Sequence, residues 1–439
     1  MAAFLIIWIG QVVSLLGTAM TGFALTIWAW LITGEATVLA LMGFFQVGPI
    51  LLVSPFAGVL VDRWNRRLTM MLSDLAAVLS TMAVLLLFMT NNLQIWHLYV
   101  TGAFTGAFQA FQFPAYSAAI SMMLPKKQYT RASAMLSMAQ TASGIFAPVL
   151  AAILLGIIDI AAILIIDVIT FMVAIATLLL IHIPHPTVTE AGRKGKGSIW
   201  KESAYGFHYI FERPSLLGLQ LIFFAINLLI TFSGTVQAPM ILARTGNDKI
   251  MLGSVQSAGA IGGLVGGLLL SIWGGPKRKV HGVLIGMALS SLLGRLLMGF
   301  GRDPYVWALA AFFALFFIPI INGSNQAIWQ AKVAPDVQGR VFAVRQLIAW
   351  ATVPVANLLA GPLADHIFEP AMMPDGGLAT MFGGAVGTGP GAGMSLMFII
   401  AGILGILVSL GGYAFHIVRN AEDILPDHDA EITLSPKVH

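Results

Sequence analysis

Apolar runs of about 20 residues or more recur along almost the whole chain, and nothing else limits its possible folds so strongly. A backbone in lipid must satisfy its own amides, so such runs become helices, whereas barrel strands would show as shorter alternating segments. The runs fall near 4–32, 37–61, 68–90, 95–124, 132–157, 160–183, 216–243, 251–274, 281–300, 305–331, 341–368 and 393–418, about twelve spans in all. Only 10% of the 439 residues are charged, against roughly 25% in soluble proteins. The expectation is an all-α membrane protein of two six-helix bundles. The polar break 184–215 forms a linker between residues 1–183 and 216–419, and 420–439 form a tail.

The loops set the orientation. Lys and Arg are retained on the cytoplasmic side. With both termini cytoplasmic, 19 of the 23 Lys and Arg fall in inner loops and the tail, Arg345 counted among them. Arg244, Lys249 and Arg302 fall outside, and Arg295 sits near the outer end of span nine, where it can snorkel. Trp8, Trp96, Trp200 and Trp307 near span ends suit an interfacial belt. The scattered basic residues do not form a nucleic-acid surface. There is no cysteine, which excludes thiol chemistry and disulfides. The histidines have no metal-ligand spacing, and neither a cofactor site nor an obligate protein partner is evident. The first apolar run starts almost at Met1 without a charged leader or a cleavage site, and is read as a retained span.

The two halves repeat. Span four carries Gln109, Gln112 and Tyr116; span ten carries Asn322, Asn325 and Trp329. The offsets are the same, amide, amide three later, aromatic four after that, and they put each trio on one helical face. Pro125, Gln128 and Arg131 after span four answer Pro335, Gln338 and Arg340 after span ten. Span eight has small-xxx-small spacing at Gly262/Gly266 and Gly263/Gly267, the pattern of a helix-packing face. The glycine-rich outer stretch Gly376 to Gly393 lacks a phosphate-loop pattern and is expected to be a flexible hairpin at the membrane surface.

The turn between spans two and three reads Gly58-Val59-Leu60-Val61-Asp62-Arg63-Trp64-Asn65-Arg66-Arg67. It resembles the signature loop of the major facilitator superfamily of transporters, with Asn65 where the family has glycine. A worn second copy, Trp273-Gly274-Gly275-Pro276-Lys277-Arg278-Lys279, keeps the basic cluster and loses the acid. Within that superfamily, Trp8-Ile9-Gly10-Gln11-Val12-Val13-Ser14-Leu15-Leu16-Gly17 is similar to the opening of the macrolide-efflux branch of drug:proton antiporters. Ser54-Pro55-Phe56-Ala57-Gly58, Gln338-Gly339-Arg340-Val341-Phe342 and Gly361-Pro362-Leu363-Ala364-Asp365 belong to the same pattern. The branch also holds siderophore exporters and, more distantly, lysophospholipid transporters. Two departures bear on proton coupling. Span four has no basic residue before Lys126, and the antiporter motif of helix five survives only as Gly144-x-x-Ala147-Pro148 followed by Ala151-Ala152.

The resemblance implies two bundles that rock about a central site. It makes Gly58, Asp62, Arg63, Arg66 and Arg67 a conformational gate, with Asp62 facing the start of helix eleven near Arg340. Asp74 in span three is expected to join that cluster, since a lone carboxylate in lipid costs about 2.5–3.5 kcal/mol or more. The plain alternative for the turn is a topology signal. The cavity helices of such a fold would present Gln11, Thr18, Gln109, Gln112, Tyr116, Asn227, Gln237, Asn322, Asn325 and Trp329 to a ligand. Neutral amides beside aromatics suit a large amphipathic compound better than a small anion; alternatively, some amides only bond neighbouring helices. Asp167, Asp365 and Glu369 could carry a proton, or could pair structurally and end helices. The expectation is a secondary exporter of amphipathic organic compounds in a bacterial inner membrane, with proton antiport. Siderophore or lysophospholipid export is the nearest alternative, although no midplane Lys or Arg is evident to hold a lipid headgroup. A transport-inactive receptor or scaffold is the alternative of another class. Paired carboxylates or a nucleophile arrangement, which an enzyme would need, do not occur within one span.

Overall fold

Hydropathy becomes helix almost run for run. The structure, a computed structural model, describes residues 2–63, 66–124, 129–181, 206–333 and 337–424. It leaves out the side chains of 2–3, 55–56, 58–63, 66, 113–114, 117–122, 129–134, 137, 338–340 and 343. The long helices are α1 Ala2–Thr33, α2 Ala36–Arg63, α3 Arg66–Met89, α4 Ile95–Met123, α5 Tyr129–Leu154 and α6 Ile160–Leu180. Then come α7 Pro214–Arg244, α8 Lys249–Trp273, α9 Lys279–Phe300 and α10 Pro304–Lys332. Last are α11, beginning Gln338–Leu363, and α12 Ala392–Ala414. Among the described residues, all but α4 and α5 are long and apolar enough to cross a bilayer. Those two are helices of 29 and 26 residues.

The helix ends lie within about four residues of those read from hydropathy. What hydropathy does not report is the interruptions. The helix of α7 breaks at Val236, and that of α10 at Phe317 with a proline just inside the restart. A proline has no N–H to give the preceding turn. π-Turns occupy Ser290–Leu296 in α9 and Ala364–Phe368 in α11. Local signals set several starts. Asp159 accepts from Ala162 N at 2.9 Å to begin α6, and Asp303, ahead of Pro304, accepts from Tyr305 N at 2.9 Å to begin α10.

The chain forms two compact units. The first comprises Met1–Thr189, Thr235–Ser257 and Asn357–Pro370. Its late stretches are bound to the early one by specific contacts. Trp30 Nε1 donates to Asn247 Oδ1 at 2.9 Å. A Cβ on Gly253 would lie 2.7 Å from the Pro148 carbonyl oxygen, so α8 passes close to α5, where Ala147 and Ala151 are fully buried. Asp365 accepts from Ala36 N at 2.9 Å and Thr37 N at 2.7 Å, and so caps α2. Losing such a cap costs about 0.5–2 kcal/mol. Asp365→Ala should therefore lower the midpoint of thermal unfolding, with Asp365→Asn closer to wild type. Equal midpoints for all three would show that the cap stabilises nothing.

The second unit comprises Glu190–Gly234, Ala258–Ala356 and Ala371–His439. Leu216, Leu219, Trp329, Val333 and Val341 lie in one apolar core cluster of it. α8 packs on α10 through Gly262 and Gly266, where any Cβ would overlap the carbonyl oxygens of Phe312 and Phe316. In the first unit, Gly106 of α4 meets the Gln46 carbonyl of α2 in the same way. The packing face expected of span eight is thus present.

Several expectations are corrected. Arg295 does not snorkel: it is buried, and its Nη1 donates to Ser291 Oγ at 3.2 Å. Trp307 is buried too, its Nε1 bonded to the Gly301 carbonyl at 3.0 Å, and takes no place in a lipid-facing belt. The outer glycine-rich stretch contains a helix, Ala379–Val386, and Gly389 N bonds back to the Met372 carbonyl at 3.1 Å. Trp64, Asn65 and Trp200, and most of the 184–215 linker, lie outside the described residues.

Candidate functional site

A polar hollow lies in the second unit. Its volume is about 610 Å³, and α7, α10 and α11 wall it. α7 brings Gln220, Phe223, Asn227 and Thr231, and α10 brings Asn322, Asn325 and Gln326. α11 brings Arg345, Gln346, Trp350 and Thr352. Asn227, Asn322 and Asn325 were legible as cavity candidates, and here they share one wall. Trp329 does not reach it. Trp329 is fully buried behind Asn325, and its Nε1 donates to Asn325 Oδ1 at 3.0 Å, which holds the amide in place. Gln237 begins the second piece of α7 and belongs to the other unit.

Arg345 is the charged residue of this wall that the sequence reading missed. Counted as a loop charge, it stands two turns into α11 and faces the hollow. Its guanidinium carbon lies 5.3 Å from the Trp329 ring centre and 5.5 Å from that of Phe342. Gln220 Nε2 donates to the Arg345 carbonyl at 3.4 Å, which ties α7 to α11 at this point. Arg345 Nη1 is buried without a hydrogen-bond partner among the described residues. A cation that counted as a loop charge therefore lines the hollow. Gln220 had a signal that was passed over, a lone amide in the run Leu216 to Phe224. Gln326 and Gln346 had weaker ones.

Smaller hollows lie among the described residues of the first unit. One, about 200 Å³, is lined by Gln11 of α1, Gln109, Gln112 and Tyr116 of α4, and Gln140 of α5, with Trp8 at its edge. Behind it lies Asp74, 1% exposed. Gln11 Nε2 donates to Asp74 Oδ2 and Gln112 Nε2 to Asp74 Oδ1, both at 2.9 Å. Asp74 thus has the partners that a carboxylate in lipid requires, and they are cavity amides. The second hollow, about 160 Å³, is lined by Thr18, Thr81 and Asp167 among others. Thr18 Oγ1 and Thr81 Oγ1 donate to Asp167 at 3.3 and 3.1 Å. The two repeated faces behave alike. In each, the second amide, Gln112 or Asn325, lines the hollow and bonds a buried group behind it.

The remaining candidates are elsewhere. Asp365 caps α2, as described above, and Glu369 opens the short helix Glu369–Met372. Gly58 lies in the last turns of α2. The side chains of Asp62, Arg63, Arg66 and Arg340 lie outside the described residues. Arg67 Nη2 donates to the Leu179 carbonyl of α6 at 2.7 Å.

Comparison with known proteins agrees with this architecture. The sequence profile described as Major Facilitator Superfamily matches residues 7–356. Macrolide efflux protein A of Streptococcus pyogenes is 26% identical over 370 residues, 83% of this chain and 90% of that protein. A protein of the same name from Enterococcus faecalis is 26% identical over 330 residues, 73% of this chain and 99% of that protein. Among solved structures, an inward-facing bacterial homolog of the human lysosomal transporter Spinster superposes with a TM-score of 0.65 at 15% identity. That match covers 93% of this chain and 97% of the other. The nucleoside transporter NupG superposes with a TM-score of 0.66 at 11% identity, covering 94% of this chain and 99% of the other.

Proposed function

The chain belongs to the Major Facilitator Superfamily, and on that premise we propose that it exports amphipathic organic compounds from a bacterial cell by alternating access, in exchange for protons. It is a multi-pass membrane protein of a transporter family, so its partners are a lipid bilayer and a small molecule. Efflux is supported by the relatives named macrolide efflux protein A. The single observation that carries the site is the pair of amide faces, each of which opens on a hollow in its own unit. Amides and hydroxyls there bind through hydrogen bonds, and Phe223 and Trp350 offer apolar surface beside them. That mixture suits a bulky ligand with a few polar groups.

Proton exchange is supported by Asp74. Its carboxylate is held by neutral amides, and the same amides line the hollow. A proton on Asp74 would remove an acceptor from Gln11 or Gln112 and so alter the wall that a ligand meets. In this reading Asp62 and its arginines bias the two access states at the cytoplasmic face. Both termini lie on that face, in the inner membrane, as the loop charges favour.

The test is drug accumulation in cells stripped of their own pumps. Wild type should lower accumulation of at least one amphipathic compound, and a protonophore should abolish the effect. Gln109→Ala with Asn322→Ala, and separately Asp62→Asn, should lose it at equal expression. If a broad panel shows no compound moved, drug export is excluded. If the double variant pumps like wild type, the amide faces are not the site.

A further inference from the structure

We infer that the hollow of the second unit binds an amphipathic organic anion, whose carboxylate or phosphate is taken by Arg345 while its apolar body lies against Phe223 and Trp350. The inference rests on the reading of that hollow as the transport site, and it narrows the substrate class.

The argument starts from the cost of the charge. A guanidinium within a membrane span is expensive, and such groups pair with acids or face a water-filled cavity. Arg345 faces the cavity, and the wall around it contains amides, hydroxyls and aromatics but no carboxylate among the described residues. The rings of Trp329 and Phe342 stabilise the cation through their faces. They accept none of its in-plane N–H bonds, and Nη1 is buried without an acceptor. Arginine offers five donors in a planar fork that matches a carboxylate or phosphate edge. A guanidinium that borders the hollow beside two aromatic rings, with one donor left unpartnered, is thus prepared for a two-oxygen anion. The neighbours fit the same ligand. Asn227, Asn322 and Gln346 can donate to further oxygens, and Trp350 is 42% exposed, an apolar surface left open in the wall. A ligand with a protonated amine at this place would meet a like charge, with no acid among the described lining residues to offset it.

The test uses the purified full-length protein in nanodiscs and matched ligands. Naphthylacetate is compared with naphthylacetamide and naphthylethylamine, and oleoyl lysophosphatidate with monoolein. Wild type should bind at least one of the two acids about tenfold or more tightly than its neutral partner, a difference of roughly 1.4 kcal/mol. Arg345→Gln should erase that preference, and Arg345→Lys should keep part of it. A monodisperse gel-filtration peak with a normal melting point shows that the variant is folded. A preference confined to lysophosphatidate identifies a lipid-derived anion; one that extends to naphthylacetate identifies a water-soluble organic acid. If amine or neutral ligand binds as well as both acids, or if Arg345→Gln keeps the preference, the inference is overturned. Asn227→Ala and Asn322→Ala separate the two levels. If they weaken acid and neutral ligands alike while no acid is preferred, the hollow remains the site and only the anion assignment falls. If they weaken nothing, the hollow is not the site, and both readings fall together.

Discussion

Gly266→Val, or Gly262→Val one turn away, is expected to leave little correctly folded protein in the membrane. At both positions the added carbons would overlap a carbonyl oxygen of α10, that of Phe316 or Phe312. Those are backbone atoms of a helix and cannot rotate aside as a side chain would. The only relief is to move α8 away from α10 along the whole face. Adding single methylenes to a packed core costs about 1–3 kcal/mol, and valine adds three carbons. Lipid supplies no hydrophobic force to press the helices together again, because acyl chains are as apolar as leucine. Gly263→Ala is the control. Its Cβ would meet the Leu315 Cβ at 3.8 Å, ordinary contact, so it should express and melt like wild type. Fluorescence-detected gel filtration of tagged variants reads the result. A monodisperse peak of normal height and melting point for Gly266→Val would show that the α8–α10 contact is not tight.

Asp74→Asn should uncouple transport from the proton gradient while it leaves substrate exchange in place. Asparagine keeps the shape of the acid and stands for its neutral form. One of its ends accepts and the other donates, so either Gln11 or Gln112 must turn its amide over to restore both bonds. The wall would then be fixed in one arrangement whatever the pH. Asp167 differs, because Thr18 and Thr81 are hydroxyls that donate or accept by a simple rotation. It can gain or lose a proton without moving its neighbours, so Asp167→Asn should retain most gradient-driven transport. In vesicles, Asp74→Asn should show exchange within about tenfold of wild type but gradient-driven accumulation no higher than empty vesicles. Full accumulation by Asp74→Asn, abolished by a protonophore, would place the coupling proton elsewhere.

The span pattern was legible because lipid imposes one requirement on each run, and length with hydropathy states it. Breaks and π-turns were not legible, since they answer to neighbours. The Val236 break and the turn at Ala364–Phe368 lie inside runs whose mean hydropathy is that of a single span. The repeated faces were legible because three side chains at helical offsets need no knowledge of packing. Their partners were not: Asp74 plainly needed one, but only the meeting of α1, α3 and α4 makes it Gln11 and Gln112. Arg345 was misread for a related reason. Arg340 stands five residues before it, and a count of loop charges does not distinguish a charge on the loop from one two turns inside. Asp365 looked like a helix end or a proton carrier, and its actual partners lie at the start of α2.

That last contact bears on how the protein is made. Asp365 and the amide it caps are 329 residues apart, so most of the chain must be synthesised before the start of α2 receives its acceptor. Until then, water at the membrane surface must solvate those amides, and the first unit lacks its 357–370 stretch. The early helices therefore enter the bilayer as an unfinished assembly, which the eleventh span completes. Nascent chains halted before residue 357 should be cut readily near Ala36 by an added protease, and chains released at full length should resist it.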